Sequence, residues 1–111
     1  MLIAEDEPLI AMMLEEMLAD LGCEIAGSYA TVRETLDACQ RNDFDVALID
    51  MNLGGERADA IIGLLATRCI PHALATGGDD IHTAGSEMLY LRKPFGEGQL
   101  QDTMLALRRQ L

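Results

Sequence analysis

Short apolar runs alternate with stretches of helical period along the whole chain. Leu2-Ile3-Ala4 is a strand-length run. From Pro8, which suits a first helical turn, apolar residues recur at Ile10, Met13, Leu14, Met17, Leu18 and Leu21, the spacing of one helix face, and Gly22 can close it. Ile25-Ala26-Gly27 reads as a second strand. Thr31-Val32-Arg33-Glu34 has capping-box spacing and opens a helix with Val32, Leu36 and Cys39 on one side. Val46-Ala47-Leu48-Ile49 shows no alternation, as expected of a strand covered on both faces. Asn52-Leu53-Gly54-Gly55 reads as a loop, Ala58, Ile61, Ile62 and Leu65 as the next helical stripe, and Pro71 ends that connection. Ala73-Leu74-Ala75 is a fourth strand, Thr76 to Asp80 a loop, Met88 to Leu91 a fifth strand, and Leu100, Met104, Leu107 and Leu111 mark a last helix. Ile81 to Glu87 is too short and too rich in small residues for an ordinary helix.

Strands joined by helical connections require crossovers, which are right-handed almost without exception and leave helices on both faces of a parallel sheet. The predicted fold class is α/β: a doubly wound, five-stranded parallel sheet of order 2-1-3-4-5, one domain over residues 1–111. Its switch point lies between the first and third strands, so ligands belong beyond the carboxyl ends of those strands. The polar residues agree with that geometry. Glu5 and Asp6 follow the first strand, Asp50 closes the third, Thr76 closes the fourth, and Lys93 lies just past the fifth.

Charge narrows the partners. With 8 Lys plus Arg against 19 Asp plus Glu the formal net charge is −11, which disfavours binding to phosphate backbones or anionic membranes. Half of the residues are apolar, enough for a core without disulfides at this length. Cys23, Cys39 and Cys69 form no zinc or disulfide pattern and read as free, mostly buried thiols. No apolar run approaches the roughly 18 residues of a membrane span, and the expectation is a cytoplasmic protein.

Carboxylates gathered at one switch point repel one another unless protonated or neutralised by a cation. Glu5, Asp6 and Asp50 offer hard oxygen ligands of the kind magnesium takes together with a phosphate. Lys93 supplies a positive charge and Thr76 a hydroxyl donor suited to phosphoryl oxygens, and an aspartate is an established nucleophile toward phosphorus. The set reads as nucleophile, metal and clamp for phosphoryl transfer.

These residues resemble the receiver domains of bacterial two-component response regulators. The resemblance is carried by Ala4-Glu5-Asp6-Glu7-Pro8, Ala47-Leu48-Ile49-Asp50-Met51-Asn52-Leu53, Ala75-Thr76-Gly77 and Leu91-Arg92-Lys93-Pro94-Phe95, in that order along the chain. It implies a flavodoxin-like receiver fold in which Asp50 accepts a phosphoryl group from a histidine kinase. Glu5, Asp6, Asp50 and the carbonyl of Asn52 would hold Mg2+, Thr76 and Lys93 would bind the phosphoryl oxygens, and Tyr90 would be the switch aromatic. It also suggests a cis peptide at Lys93-Pro94. The stretch Pro71-His72-Ala73-Leu74-Ala75-Thr76-Gly77-Gly78 is similar, more narrowly, to alphaproteobacterial receivers with a Pro-Phe-x-Phe-Ala-Thr-Gly-Tyr-Gly signature, differing at His72 and Leu74. That subgroup implies a stand-alone receiver with a reduced fourth helix, served by an HWE-type kinase or a histidine phosphotransfer protein.

The expected function is a regulatory phosphoacceptor, not an enzyme, that signals by binding a downstream protein or passing the phosphoryl group onward, with no direct nucleic-acid or membrane contact. Two alternatives stay open: a pseudo-receiver that is not phosphorylated, and a receiver excised from a hybrid kinase or larger regulator. A small-substrate phosphatase would want an aspartate two positions after Asp50, where Asn52 stands. Taken singly the residues have plainer roles: Glu5 and Asp6 at a helix N-terminus, Thr76 in a turn, Lys93 as a solvated charge. Met13 and Met17 are expected to fill core, and His72 and His82 to be structural or exposed.

Overall fold

The computed structural model describes residues 1–41, 44–76, 89–92 and 96–110. Its elements run β1 (Leu2–Ala4), α1 (Pro8–Asp20), β2 (Gly27–Tyr29), α2 (Val32–Arg41), β3 (Ala47–Asp50), β4 (Asn52–Leu53), β5 (Glu56–Arg57), α3 (Asp59–Thr67), β6 (His72–Thr76), β7 (Leu89–Arg92) and α4 (Glu97–Arg108). The main sheet has the order β2-β1-β3-β6-β7, with every pairing parallel, as the apolar runs predict. The expected reduced helix around residues 81–87, the Lys93-Pro94 peptide, His82 and Leu111 lie outside the described residues.

Alternate residues of the unbroken apolar strands serve opposite faces. Leu2, Ala4, Ala47, Ile49 and Leu74 pack with Val32, Ala38, Ile61 and Leu65 of α2 and α3. Ile3, Leu48, Ala73 and Leu91 pack with Leu14 and Leu18 of α1 and Leu100 and Leu107 of α4. Leu14, Leu18, Leu48 and Ile49 are fully buried, and each such side chain contributes on the order of 2 kcal/mol through removal from water. The sheet's rim is therefore held by two cores, and residues at strand ends inherit that rigidity.

Several boundaries differ from the sequence reading. β2 begins at Gly27, not Ile25: the carbonyl of Met1 accepts the Ala26 N–H, pairing with β1 starts at Leu2 opposite Gly27, and Ile25 instead packs beneath the sheet against the α1 and α4 core. Tyr29 lies over Gly27, where an added Cβ would collide with the tyrosine ring. Met13 is 56% exposed, not core. The buried stripe of α1 centres on Leu14 and Leu18, and at about 100° per residue Met13 falls roughly 120° from its middle. Cys39 is buried, Cys23 half-buried and Cys69 exposed, all three as free thiols. Burial pushes the Cys39 thiol up, and the guanidinium of Arg68, which also donates to the Cys39 carbonyl, partly offsets this. His72 donates from Nδ1 to the Ile70 carbonyl at 2.9 Å, a structural role at the start of β6.

Two helix ends solve the same problem with different residues. After α1, Gly22 has φ +85°, its N–H donates to the Ala19 carbonyl and the Cys23 N–H to that of Leu18. After α3, Cys69 takes the same left-handed position with φ +56°, donating to Ala66, with Ile70 donating to Leu65. Both are Schellman-type closures, for which glycine is the residue without steric penalty.

Candidate functional site

β1 and β3, central neighbours in the sheet, end at the same rim. The ladder between β1 and β2 runs one residue past the strand, with the Glu5 N–H donating to the Tyr29 carbonyl at 2.9 Å, which seats Glu5 at the edge. Asp50 is paired with Ala75, and the Met51 N–H donates to the Ala75 carbonyl at 2.9 Å, so β3 and the last turn of β6 are locked together. Thr76 follows at once and pairs with Arg92 of β7. Glu5, Asp50 and Thr76 are buried, at 3%, 6% and 0% exposure, an uncommon condition for two carboxylates.

One carboxylate oxygen from each of Glu5, Asp6 and Asp50 lies within 4.8 Å of the others. Backbone amides engage the same side chains. Glu5 Oε2 accepts the Glu7 N–H at 3.2 Å, Asp50 Oδ1 accepts the Asn52 N–H at 3.1 Å, and Asp6 Oδ2 accepts the Gly54 N–H at 2.9 Å. The donor set is all oxygen and triply negative, the composition a hard divalent cation favours over a softer metal. The structure thus brings together Glu5, Asp6 and Asp50, with Thr76 at the end of the adjoining strand. Tyr90 sits in β7 opposite Leu74, its side chain outside what is described, and Lys93 lies outside the described residues.

The segment after Asp50 is more ordered than a loop. Asn52–Leu53 and Glu56–Arg57 pair antiparallel across Gly54 and Gly55, whose φ values of +59° and +88° suit a type I′ turn. Leu53 is buried, and the Ala58 N–H returns to the Met51 carbonyl at 3.0 Å, closing the excursion. Gly54, whose amide touches Asp6, escaped the sequence reading. The signal was present, since Gly-Gly between two short runs marks a two-residue hairpin.

The family model for the response regulator receiver domain matches residues 1–105. This chain belongs to that family. Its fold is similar to that of SdrG from Sphingomonas melonis, with a TM-score of 0.82 and 40% identity over 96% of this chain and 93% of that one. It is also similar to the receiver domain of the PhyR response regulator of Erythrobacter litoralis, with a TM-score of 0.85 and 31% identity over 96% and 88% of the two chains. These likenesses fit the stand-alone receiver type. The transcriptional regulatory protein PdtaR of Mycobacterium tuberculosis is 32% identical over 105 residues, 89% of this chain and 51% of that protein. The chain spans about half the length of the curated relatives it matches. Receiver domains are signalling modules, and among the described residues no helix is long and apolar enough to cross a membrane.

Proposed function

We propose that this receiver, a single unit over residues 1–111, is a cytoplasmic phosphoacceptor. The phosphoryl group would be taken up on Asp50 in a Mg2+-dependent reaction. The observation that carries this reading is the convergence of the Glu5, Asp6 and Asp50 carboxylates at the switch point of the sheet. Glu5, Asp6, Asp50 and the carbonyl of Asn52 would hold the cation, whose chemistry is to neutralise charge on the phosphoryl oxygens. A carboxylate oxygen of Asp50 attacks phosphorus in line, a P–O bond forms as the P–N bond to the donor histidine breaks, and the imidazole recovers a proton. The Asn52 N–H on Oδ1 fixes the carboxylate plane, so the attacking group is oriented before the donor arrives. The Thr76 hydroxyl and Lys93 would bind the phosphoryl oxygens, and movement of Thr76 with Tyr90 would reshape the face of β6 and β7 for a downstream protein. SdrG has been solved in a BeF3-activated conformation, which supports a phosphorylation-type switch for this chain.

The donor is a histidine kinase, of the HWE type on the narrower resemblance, or a histidine phosphotransfer protein. Leu9, Met12 and Met13 are exposed at 76%, 56% and 56% on the first turns of α1, directly after the site's Glu5 and Asp6. Exposed Glu7, Glu16 and Asp20 flank them, so an apolar helix with basic margins fits this face.

The test is incubation with acetyl phosphate and Mg2+ followed by intact-mass measurement. One added phosphoryl group, lost in Asp50→Asn and with chelator, is expected. Absence of any gain, with a cognate kinase also supplied, refutes the reading and leaves a non-phosphorylated interaction module.

A further inference from the structure

The β4–β5 hairpin meets the acidic site at two points, both through backbone amides. Along an extended segment alternate N–H groups point the same way, and the amides of Asn52 and Gly54, two residues apart, reach Asp50 and Asp6 respectively. The geometry points to the hairpin as a positioning element. The Gly54 N–H holds one oxygen of Asp6 so that the carboxylate's plane is set for the cation, as the Asn52 N–H does for Asp50. This rests on the Mg2+ reading above and extends it to a group that is not itself a ligand.

The local sequence is built for that contact. A Cβ on Gly54 or Gly55 would meet nothing within 4 Å, so space does not require glycine at either position. Conformation does: both have left-handed φ, which closes the two-residue turn and holds the extended segment whose Gly54 amide reaches a residue 48 positions earlier. Buried Leu53 and the Ala58-to-Met51 bond anchor the hairpin's base to the core, leaving the turn little freedom to drift from Asp6. Partners one shell out from a metal's ligands commonly change affinity by about 10- to 100-fold when removed.

The decisive experiment removes only that N–H. In the full chain assembled by ligation, an ester replaces the amide between Leu53 and Gly54, and Mg2+ is titrated while the Asn52 amide resonance is followed. The ester protein is expected to bind Mg2+ at least about tenfold more weakly than the unaltered chain. Gly54→Asn, which keeps the N–H and tolerates left-handed φ, should bind within about twofold of it, whereas Gly54→Val should not. Equal affinity in the ester protein overturns the role of the hairpin while leaving the metal reading intact. No Mg2+-dependent shift in the unaltered chain overturns the metal reading and this inference with it. Should the ester protein not fold, the unaltered chain still decides: the Gly54 amide must shift with the same midpoint as that of Asn52, and a stationary Gly54 resonance overturns the proposal.

Discussion

Replacing Asp50 with Asn should make the metal-free protein more stable, because the carboxylate cluster is a source of strain. The three ligand oxygens lie within 4.8 Å of one another, and two of the side chains are buried. At an effective dielectric of about 20, Coulomb's law gives roughly 3 to 4 kcal/mol of repulsion for each charged pair at that separation. Asp50→Asn removes the two pairs that include Asp50 and retains an Oδ1 acceptor for the Asn52 N–H. Solvent at half-buried Asp6, the amide partners, and the ammonium that the family resemblance assigns to Lys93 all reduce the gain. A net increase of about 2 kcal/mol is expected, or roughly 8 °C in Tm for a domain of this size. The assay is urea and thermal unfolding by far-ultraviolet circular dichroism, since the chain has no Trp. It is run once with chelator and once with Mg2+. The unaltered chain should gain from Mg2+ and the Asn variant much less, because binding to the native state alone is what stabilises it. If Asp50→Asn is no more stable than the parent in chelator, the electrostatic reasoning fails.

Cys69→Gly should raise stability by about 0.5 to 1 kcal/mol, because the left-handed penalty of roughly 1 to 2 kcal/mol is relieved and part is returned as unfolded-chain entropy; equal or lower unfolding midpoints count against it. Gly22→Ala, at the matching end of α1, should cost about 1 kcal/mol by the same measurement. Alkylation with iodoacetamide should label exposed Cys69 first and leave Cys39 unreacted until unfolding. The raised Cys39 thiol adds stability that is fully present below its unfolded value of 9.0 and lost as pH climbs through the folded one, so Cys39→Ala should flatten the fall in stability at alkaline pH. Leu9→Glu combined with Met13→Glu should lower phosphotransfer from the kinase about tenfold or more and leave labelling by acetyl phosphate unchanged; parallel losses with both donors would remove the docking role from α1.

The sheet order and the rim on which the acids meet were legible because unbroken apolar runs and helical stripes constrain topology strongly. Val46 to Ile49 has no alternation because Ala47 and Ile49 face one core and Leu48 the other. Edge strand β2 starts later than its apolar residues suggest because Gly27, Ser28 and Tyr29 are only half-buried, so hydrophobicity marks Ile25, whose side chain serves the α1 and α4 core instead. Met13 stands outside the buried stripe because hydrophobicity alone does not say where on the helix a stripe is centred. The carboxylates announced themselves by residue type and position. Gly54 did not, since it acts through an amide every non-proline residue carries, and only the folded hairpin reveals where that amide points.

That contrast bears on how such a site is held in its resting state. Like charges at one rim favour spreading apart, and the side chains alone have rotamers that would allow it. Three features oppose this: the ladder bond from Glu5 to Tyr29, the lock between Met51 and Ala75, and the amides of Asn52 and Gly54 on Asp50 and Asp6. Each draws its strength from elements with buried cores behind them. The rim therefore stores repulsion that the rest of the domain tolerates. A cation or a phosphoryl group that engages it acts on a preformed arrangement and need not assemble one. A ligand can shift a conformational balance only by its differential affinity for the two states. On the proposed reading, the difference in how the resting and phosphorylated rims bind cation and partner is the free energy that reaches β6 and β7.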